Sequence, residues 1–410
     1  MIITILAANF AGNKGAAAML QSSIKNLSEH LGDVKYQLLS VYPKEDREQN
    51  TYSNLKVVSC KPEEIIFIAF PLAILCRILG WIPPIRRLLL KNGILKAVDA
   101  SDLILDEAGI SFVDSRGFIM NTYNFICMAV PLLMGKKVIK YSQALGPFKG
   151  FWNRFLAKIV LPRVKRIGAR GAITKSHLDE LGLKNVVLCA DGAFLMPDDE
   201  NEAKRVHDII AGDDLYNSQV VSISISSVVE KYCEKASIDY KGIMGRFIDY
   251  LIDEKGYGVL IIANAARKGS AGRKNNDLHV CQAVYELVRN KERCRWYNDE
   301  FTPEAIREFI GLSRLMVASR FHAMIGALYK KVPVLLVGWS HKYKEVLDMF
   351  HLGQNAIDYK KLDLDKLIEA FNEFESRQDE IRGNIEKHLD EVKKSSYRNI
   401  QLVLDELDIR

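Results

Sequence analysis

The chain has 410 residues, too many for one ordinary hydrophobic core, and 48% hydrophobic with 26% charged residues is a globular balance that excludes wholesale disorder. The net charge of +6 is mild and reads as scattered. It suits an anionic substrate or an acidic membrane surface and argues against nucleic acid, as does the lack of an aromatic-basic RNA signature.

Taken in chain order, MIITILAANF lacks the basic start and long apolar run of a signal peptide, and residues 1–8 read as a first strand. The turn-prone 9–15 and the helix-friendly AAAMLQSSIKNLSEHLG follow, a β-loop-α opening. Further strands are predicted at Tyr36–Val41, Leu55–Val58, Asp102–Asp106, Lys137–Ser142, Arg166–Ala169 and Val186–Cys189. The polar stretch 198–218 separates these from a second series at Val220–Ile225, Gly258–Ala263, Cys294–Tyr297, Leu315–Ala318 and Val332–Val337. Short apolar strands alternating with helices imply parallel sheets with right-handed crossovers. The expected fold is therefore α/β: two Rossmann-like domains, 1–203 and 204–375, facing each other across a cleft. A helical tail, 376–410, would pack back toward the first domain, its apolar residues Ile381, Ile385, Leu389, Val392, Ile400 and Val403 lying at near-helical spacing.

Residues 65–90 (IIFIAFPLAILCRILGWIPPIRRLLL) are strongly apolar but broken by Arg77, Pro71, Pro83 and Pro84, too interrupted for a spanning helix. With Trp81 and the cations Arg77, Arg86, Arg87 and Lys91, the stretch reads as an interfacial segment, the alternative being a buried helix pair. The seven cysteines (Cys60, Cys76, Cys127, Cys189, Cys233, Cys281, Cys294) stand far apart without a Cys-x-x-Cys pair. They suggest neither zinc site nor disulfide framework, and read as reduced thiols of a cytoplasmic protein.

Walker-type phosphate loops, a strand-following GxGxxG, HExxH and GxSxG are all absent. What remains is polar residues at strand ends, where parallel sheets bind ligands. Ser319-Arg320-Phe321-His322 joins a predicted strand to a short helix, where backbone N–H groups and the helix dipole favour an anion. The Arg320 fork matches carboxylate or phosphate, and His322 can supply a proton near neutral pH. Asp106 ends a strand and Asp114 lies in the loop beyond. Either carboxylate could take a proton from a hydroxyl or bond sugar hydroxyls, or simply serve as an N-cap and a solvated turn residue. Asn13 and Lys14 occupy the first β-α loop between Gly12 and Gly15, and Gln143 ends an apolar strand before Gly146-Pro147.

SRFHAMIGALYKKVPVLLV (319–337) resembles the Arg-x-His, small-residue helix and Val-Pro strand of polysaccharide pyruvyl transferases. GWSHKYKEVL (338–347) is similar to the family's next element, with Lys342 at its lysine. RVKRIGARGAITKSHLDELG (163–182) resembles the segment whose arginine, here Arg170, helps hold the donor. CADGAF (189–194), with Asp191 as its acid, resembles the end of the family's first domain; QALGPF (143–148) and GNKGAAAML (12–20) resemble two further loops. The match runs in order from about residue 9 to 350. It departs at Gly171, where the family often has an acid, at Asp106-Glu107-Ala108-Gly109, which replaces a triple-glycine loop, and near Asn264, where a histidine is missing.

The resemblance implies a GT-B-like enzyme that transfers pyruvate from phosphoenolpyruvate, as a ketal, to a sugar of a surface, capsular or exopolysaccharide precursor, free or lipid-linked. It implies Arg170 and Arg320 as donor-binding cations from the two domains; the expected catalytic set is His322, Arg320 and Asp106, the last from its place at a strand end and not from the resemblance. Phe321, Lys342, Asn13, Lys14, Gln143, Asp114 and Asp191 would contact substrates. No metal or other cofactor is expected, and the location expected is cytoplasmic, with peripheral contact at the inner face of the membrane. The runners-up are a nucleotide-sugar glycosyltransferase on the same plan and a glycan-binding protein that has lost catalysis.

Overall fold

The computed structural model describes residues 1–268, 275–338 and 341–409. Along the first half run β1 (Ile2–Leu6), β2 (Gly12–Asn13), β3 (Lys35–Ser40), β4 (Leu55–Ser59), β5 (Leu103–Asp106), β6 (Ile110–Ser111), β7 (Val138–Leu145), β8 (Arg166–Arg170) and β9 (Val186–Cys189). The second half supplies β10 (Val220–Ile225), β11 (Gly258–Ala263), β12 (Ala265–Ala266), β13 (Cys294–Trp296), β14 (Leu315–Ala318), β15 (Val334–Gly338) and β16 (Ala356–Asp358). The helices that matter below are α1 (Lys14–Leu31), α2 (Phe70–Leu79), α3 (Pro83–Leu89), α4 (Gly117–Leu133), α5 (Phe151–Val160), α6 (Phe321–Tyr329) and α7 (Gln378–Glu406).

The chain divides into two compact units: residues 1–11, 19–196 and 393–410, and residues 12–18 and 197–392. The division falls at Met196/Pro197, ahead of the expected 203/204. The loop that opens α1 belongs to the second unit although it lies near the start of the chain. α7 is likewise shared. Its buried Ile381, Ile385 and Leu389 precede the division, whereas Ile400 and Val403 enter the core of the first unit. There Asn399 donates to the Ala190 carbonyl at 3.0 Å and accepts from the Ser142 amide at 3.1 Å. The tail returns to the first unit.

The first unit holds a parallel sheet in the order β4-β3-β1-β5-β7-β8-β9, with β6 adding to β7. The strands are apolar on both faces because helices cover both: Ile3, Ile5, Leu103, Leu105 and Ile139 are all 0% exposed. Burying such side chains contributes about 1.5–3 kcal/mol each, so the sheet forms the centre of the unit. The second unit has a parallel sheet in the order β13-β11-β10-β14-β15-β16 and a small antiparallel pair, β2 with β12.

Both sheets reverse direction of growth once. In the first the chain runs outward from β1 to β4 and resumes at β5 on the other side of β1; in the second it runs from β10 to β13 and resumes at β14 beside β10. Adjacent crossovers leave opposite faces of the sheet at these reversals, opening a crevice at the strands' carboxyl ends. The two reversal points put Asp106–Gly109 in the first unit, and Ser226–Ser227 with Ser319–Arg320 in the second, where each unit can hold a ligand.

All seven cysteines are free, and all but Cys127 are buried. Among the described residues no helix is long and apolar enough to cross a membrane.

Candidate functional site

In the second unit, β14 delivers Ser319 and Arg320 directly onto the N-terminus of α6, with Arg320 as the cap residue in an extended conformation (φ −118°, ψ 136°). No side-chain hydrogen bond caps this helix among the described residues, and the positive end of its dipole lies at the strand end. Arg320 itself does not wait there with an open fork. Its Nε donates to Asp277 Oδ2 at 2.9 Å and its Nη2 to Asp277 Oδ1, a two-pronged pair with a carboxylate that is 0% exposed. Nη2 also donates to the Ser227 hydroxyl at 3.2 Å and Nη1 to the Asn275 side-chain oxygen at 3.0 Å. Four of the five guanidinium hydrogens are thus directed at the protein, and one on Nη1 remains. Burial alone would lower the Arg320 pKa; the charge and hydrogen bonds of Asp277 outweigh it and hold the group above its ordinary value.

Asp277 has a second duty. It accepts from the amides of Ser227 at 2.9 Å and Ala265 at 2.9 Å, tying the segments after β10 and β11 to the one after β14. Ser319, 0% exposed, accepts from the Tyr240 hydroxyl at 2.9 Å, which fixes the strand end from behind.

The glycine loop reaches the same place. Gly12 and Asn13 pair with Ala266 and Ala265, and the Lys14 amide donates to the Asn264 carbonyl at 3.1 Å. Lys14 is 4% exposed and its Nζ meets Glu300 Oε1 at 2.9 Å. Asn13 accepts from the Gly15 amide at 3.1 Å, an Asx turn that starts α1. Gly15 lies against the imidazole: a Cβ placed there would stand 1.7 Å from His322 Nδ1. Only glycine lets the ring sit where it does. His322 stacks edge-on against Phe321 at 5.0 Å, and Phe321 packs on Tyr343 at 5.5 Å. Of the expected residues, Arg320, Phe321, His322, Asn13 and Lys14 therefore belong to one cluster. The side chain of Lys342 lies outside the described residues.

The first unit gathers the others. Arg170 Nη1 donates to Asp191 Oδ2 at 2.6 Å with both side chains buried, and lies 3.7 Å from where a Cβ on Gly109 would be. Asp191 also accepts from the Ala193 amide at 2.8 Å as a helical cap. Gly171 has φ +104° and ψ 163°, a region essentially reserved for glycine, which accounts for the missing acid there. Asp106 forms a buried ion pair with Lys140 and accepts from the Ala108 amide at 3.1 Å, so its carboxylate is held from two sides. Gln143 donates to the Asp106 carbonyl at 2.6 Å and accepts from Ser111 at 2.7 Å. It follows Ser142, whose φ of +51° accompanies a register shift in β7. Asp114 accepts from the amides of Lys149 and Gly150 and from Asn153 Nδ2. It anchors the loop before α5, as a turn residue would.

Sequence reasoning missed Asp277, Asn275, Ser227, Glu300 and Glu107. The first four gave no signal, since polar residues in loops look like caps and turns. Glu107 is 1% exposed, and among the described residues neither carboxyl oxygen has a partner in hydrogen-bond geometry, although the nearby Ser23 hydroxyl partly offsets the burial. Burial raises its pKa to about 8, with the neighbouring Asp106 charge adding to the rise. Lys140, inside an apolar strand, was the one visible cue that a carboxylate lay beside it.

Two α/β units with parallel sheets that reverse beside a ligand crevice define a GT-B-like fold. Solved structures of that fold align along nearly the whole chain. An S. aureus MnaA–UDP complex is 12% identical at a TM-score of 0.65, covering 100% of this chain and 97% of that one. A UDP-GlcNAc 2-epimerase from Neisseria meningitidis bound to UDP-GlcNAc is 12% identical at a TM-score of 0.60, with 98% and 99% covered. A glycosyltransferase from Rickettsia africae is 10% identical at a TM-score of 0.56, with 99% and 98% covered. At such identities the likeness shows the fold alone. No curated protein matches the sequence. The profile of the family Polysaccharide pyruvyl transferase matches residues 13–341, and the chain belongs to that family.

Proposed function

We propose that the protein transfers pyruvate from phosphoenolpyruvate to a sugar of a polysaccharide precursor as a cyclic ketal. One sugar hydroxyl adds to the central carbon of the donor while a proton goes to its methylene, which becomes the methyl group. A second hydroxyl of the same sugar then displaces inorganic phosphate from that carbon and closes the ring. The observation that carries the reading is the packing of His322 on Gly15, which joins two of the family's motifs in one site beside Arg320 at the N-terminus of α6.

In this reading the donor's carboxylate or phosphate lies at the positive end of the α6 dipole and takes the remaining Nη1 hydrogen of Arg320. Asp277 keeps the guanidinium oriented. His322 gives the proton to the methylene, a role that needs an imidazole titrating near neutrality. Fixed donors of this kind cost no reorganisation during the reaction, and such electrostatic preorganisation is usually the largest catalytic term.

A nucleotide-sugar glycosyltransferase is the second reading, favoured by the UDP and UDP-GlcNAc complexes among the structural neighbours. The two are separated by incubating the protein with a lipid-linked oligosaccharide pool and either phosphoenolpyruvate or UDP-sugars, with mass spectrometry of the products. Pyruvyl adducts with stoichiometric phosphate release support the first. Glycosylated products with UDP-sugars and none with phosphoenolpyruvate would overturn it.

A further inference from the structure

The mild net charge conceals a segregation. Residues 65–98 and 115–178, both in the first unit, contain seventeen Lys and Arg and not one Asp or Glu, so the rest of a chain of net charge +6 is negative by eleven. These acid-free stretches also carry the exposed apolar surface. Among the described residues, every exposed large hydrophobic side chain except Met1, Ile173 and Leu287 lies on α2, α3, α4, α5 or the turns that adjoin them.

A π-helical turn, Ile65–Ala69, leads into α2. From this first group Phe67 is 74% exposed, Trp81 80% and Leu88 62%. Ile119 at the start of α4 and Phe151 at the start of α5 are 82% and 81% exposed. The groups are neighbours. Phe70 of α2 meets Phe125 of α4 edge-on at 6.5 Å, and Phe118 of α4 stacks on Trp152 of α5 at 4.9 Å. The inner faces of these helices are conventional core, with Ala69, Ala73, Leu156 and Ala157 buried. Their outer faces therefore display apolar tips by sequence choice, not because the packing is incomplete. Interleaved with those tips are the exposed cations Arg77, Arg87 and Lys91 on one side and Arg116, Arg154 and Lys158 on the other.

We infer that the outer faces of α2–α3 and the starts of α4 and α5 form an interfacial docking surface for an anionic lipid bilayer. Aromatic and aliphatic tips enter the headgroup boundary while the cations meet lipid phosphates. The charge pattern selects this occupant. A protein-binding surface rich in apolar side chains is ordinarily depleted of lysine at its centre and carries both signs at its rim, whereas here acids are absent over two long stretches. The surface extends the interfacial reading of 65–90 to α4 and α5, and it rests on no part of the pyruvyl-transfer reading.

The test is sedimentation of the full chain with vesicles of phosphatidylcholine alone and of phosphatidylcholine mixed with phosphatidylglycerol, at low and high salt. The chain should pellet with the mixed vesicles at low salt and be partly released at high salt, since exposed charges are screened within about 8–10 Å at physiological ionic strength. Arg87→Glu and Arg154→Glu, one from each group, should each weaken the partition by at least roughly fivefold, the effect of removing one charge near an anionic surface. Ile119→Ser and Phe151→Ser should weaken it as well, with unchanged melting temperatures, because both side chains are already in water. Equal recovery with and without vesicles overturns the proposal. So does a concentration-dependent dimer abolished by the same substitutions, which would make a second copy the occupant. Retention lost only by changes in 65–90 would confine the surface to that segment and refute the part played by α4 and α5.

Discussion

Gly15→Ala is the smallest change that tests the candidate site. The added methyl carbon would stand 1.7 Å from His322 Nδ1 and 2.2 Å from Cγ, far inside van der Waals contact, so the imidazole must swing away. Overpacking of this kind costs about 1–3 kcal/mol. Two features sharpen the number. Gly15 lies in the first turn of α1 and is not among the positive-φ glycines, so the alanine is not strained by the backbone. Alanine is also a better helix former by up to about 1 kcal/mol, which offsets part of the clash.

Placing the change in a His322→Ala background separates these terms. With the ring removed, Gly15→Ala should be neutral or stabilising by a few tenths to about 1 kcal/mol. The coupling energy between the two positions should then be about 1–3 kcal/mol. Denaturant unfolding followed by circular dichroism measures the four stabilities. Phosphate release from phosphoenolpyruvate measures turnover, which in the single Gly15→Ala variant should fall by roughly a hundredfold, the expected effect of a displacement near 1 Å at a reacting group. Equal destabilisation in both backgrounds would place the clash away from His322. A Gly15→Ala protein with the parent's turnover would falsify the assignment of the proton donor to this imidazole.

Three further outcomes are expected. Glu107 holds a proton in the folded protein up to about pH 8, whereas an unfolded glutamate loses it near 4.5. Between those values the folded state binds the extra proton, so this group's contribution to stability falls as pH rises, by up to ~1.4 kcal/mol per pH unit. Denaturant unfolding from pH 5 to 8 should show that slope, flattened in Glu107→Gln; an identical slope in the variant refutes the account. Arg320→Ala leaves Asp277 buried without its cation and should cost about 3–5 kcal/mol of stability. Arg320→Lys keeps the charge but not the fork and should weaken both the fold and calorimetric binding of phosphoenolpyruvate; a parent-like melting temperature for Arg320→Ala would mean the Asp277 pair is not formed. Pyruvyl transfer should survive chelation by EDTA, and loss restored by magnesium or manganese would favour glycosyl transfer.

The sheets were legible because their strands have only one place to go. Val220–Ile225, Gly258–Ala263 and Leu315–Ala318 form as expected from their sequences and are buried throughout, since a short, largely apolar run is stable inside a sheet covered on both sides. The two-residue strands β2 and β12 left no such trace. Their pairing comes from backbone brought together across more than 250 residues, and it is this pairing that draws Asn13 and Lys14 into the second unit. The motif residues were legible as types at strand ends. Their partners were not, because a carboxylate that neutralises a buried cation carries no local pattern.

Those partners change what the motif means. Arg320, Arg170, Lys14 and Lys140 are cations in the two clusters, and each meets a carboxylate: Asp277, Asp191, Glu300 and Asp106. An unpaired buried charge costs several kcal/mol, so a cation at a strand end inside the protein comes with its counterion. A paired arginine offers an anionic donor oriented N–H groups, not a full positive charge. In the pyruvyl-transfer reading, attraction for a multiply charged donor would then draw on the helix dipole at the start of α6 as well as on Arg320. Arg320 also holds Asn275, Asp277 and Ser227 in place. Glu107 shows the same rule from the other side. It has Asp106 beside it, but Lys140 is already engaged by Asp106, so burial, with no cation paired to it among the described residues, raises its pKa to about 8.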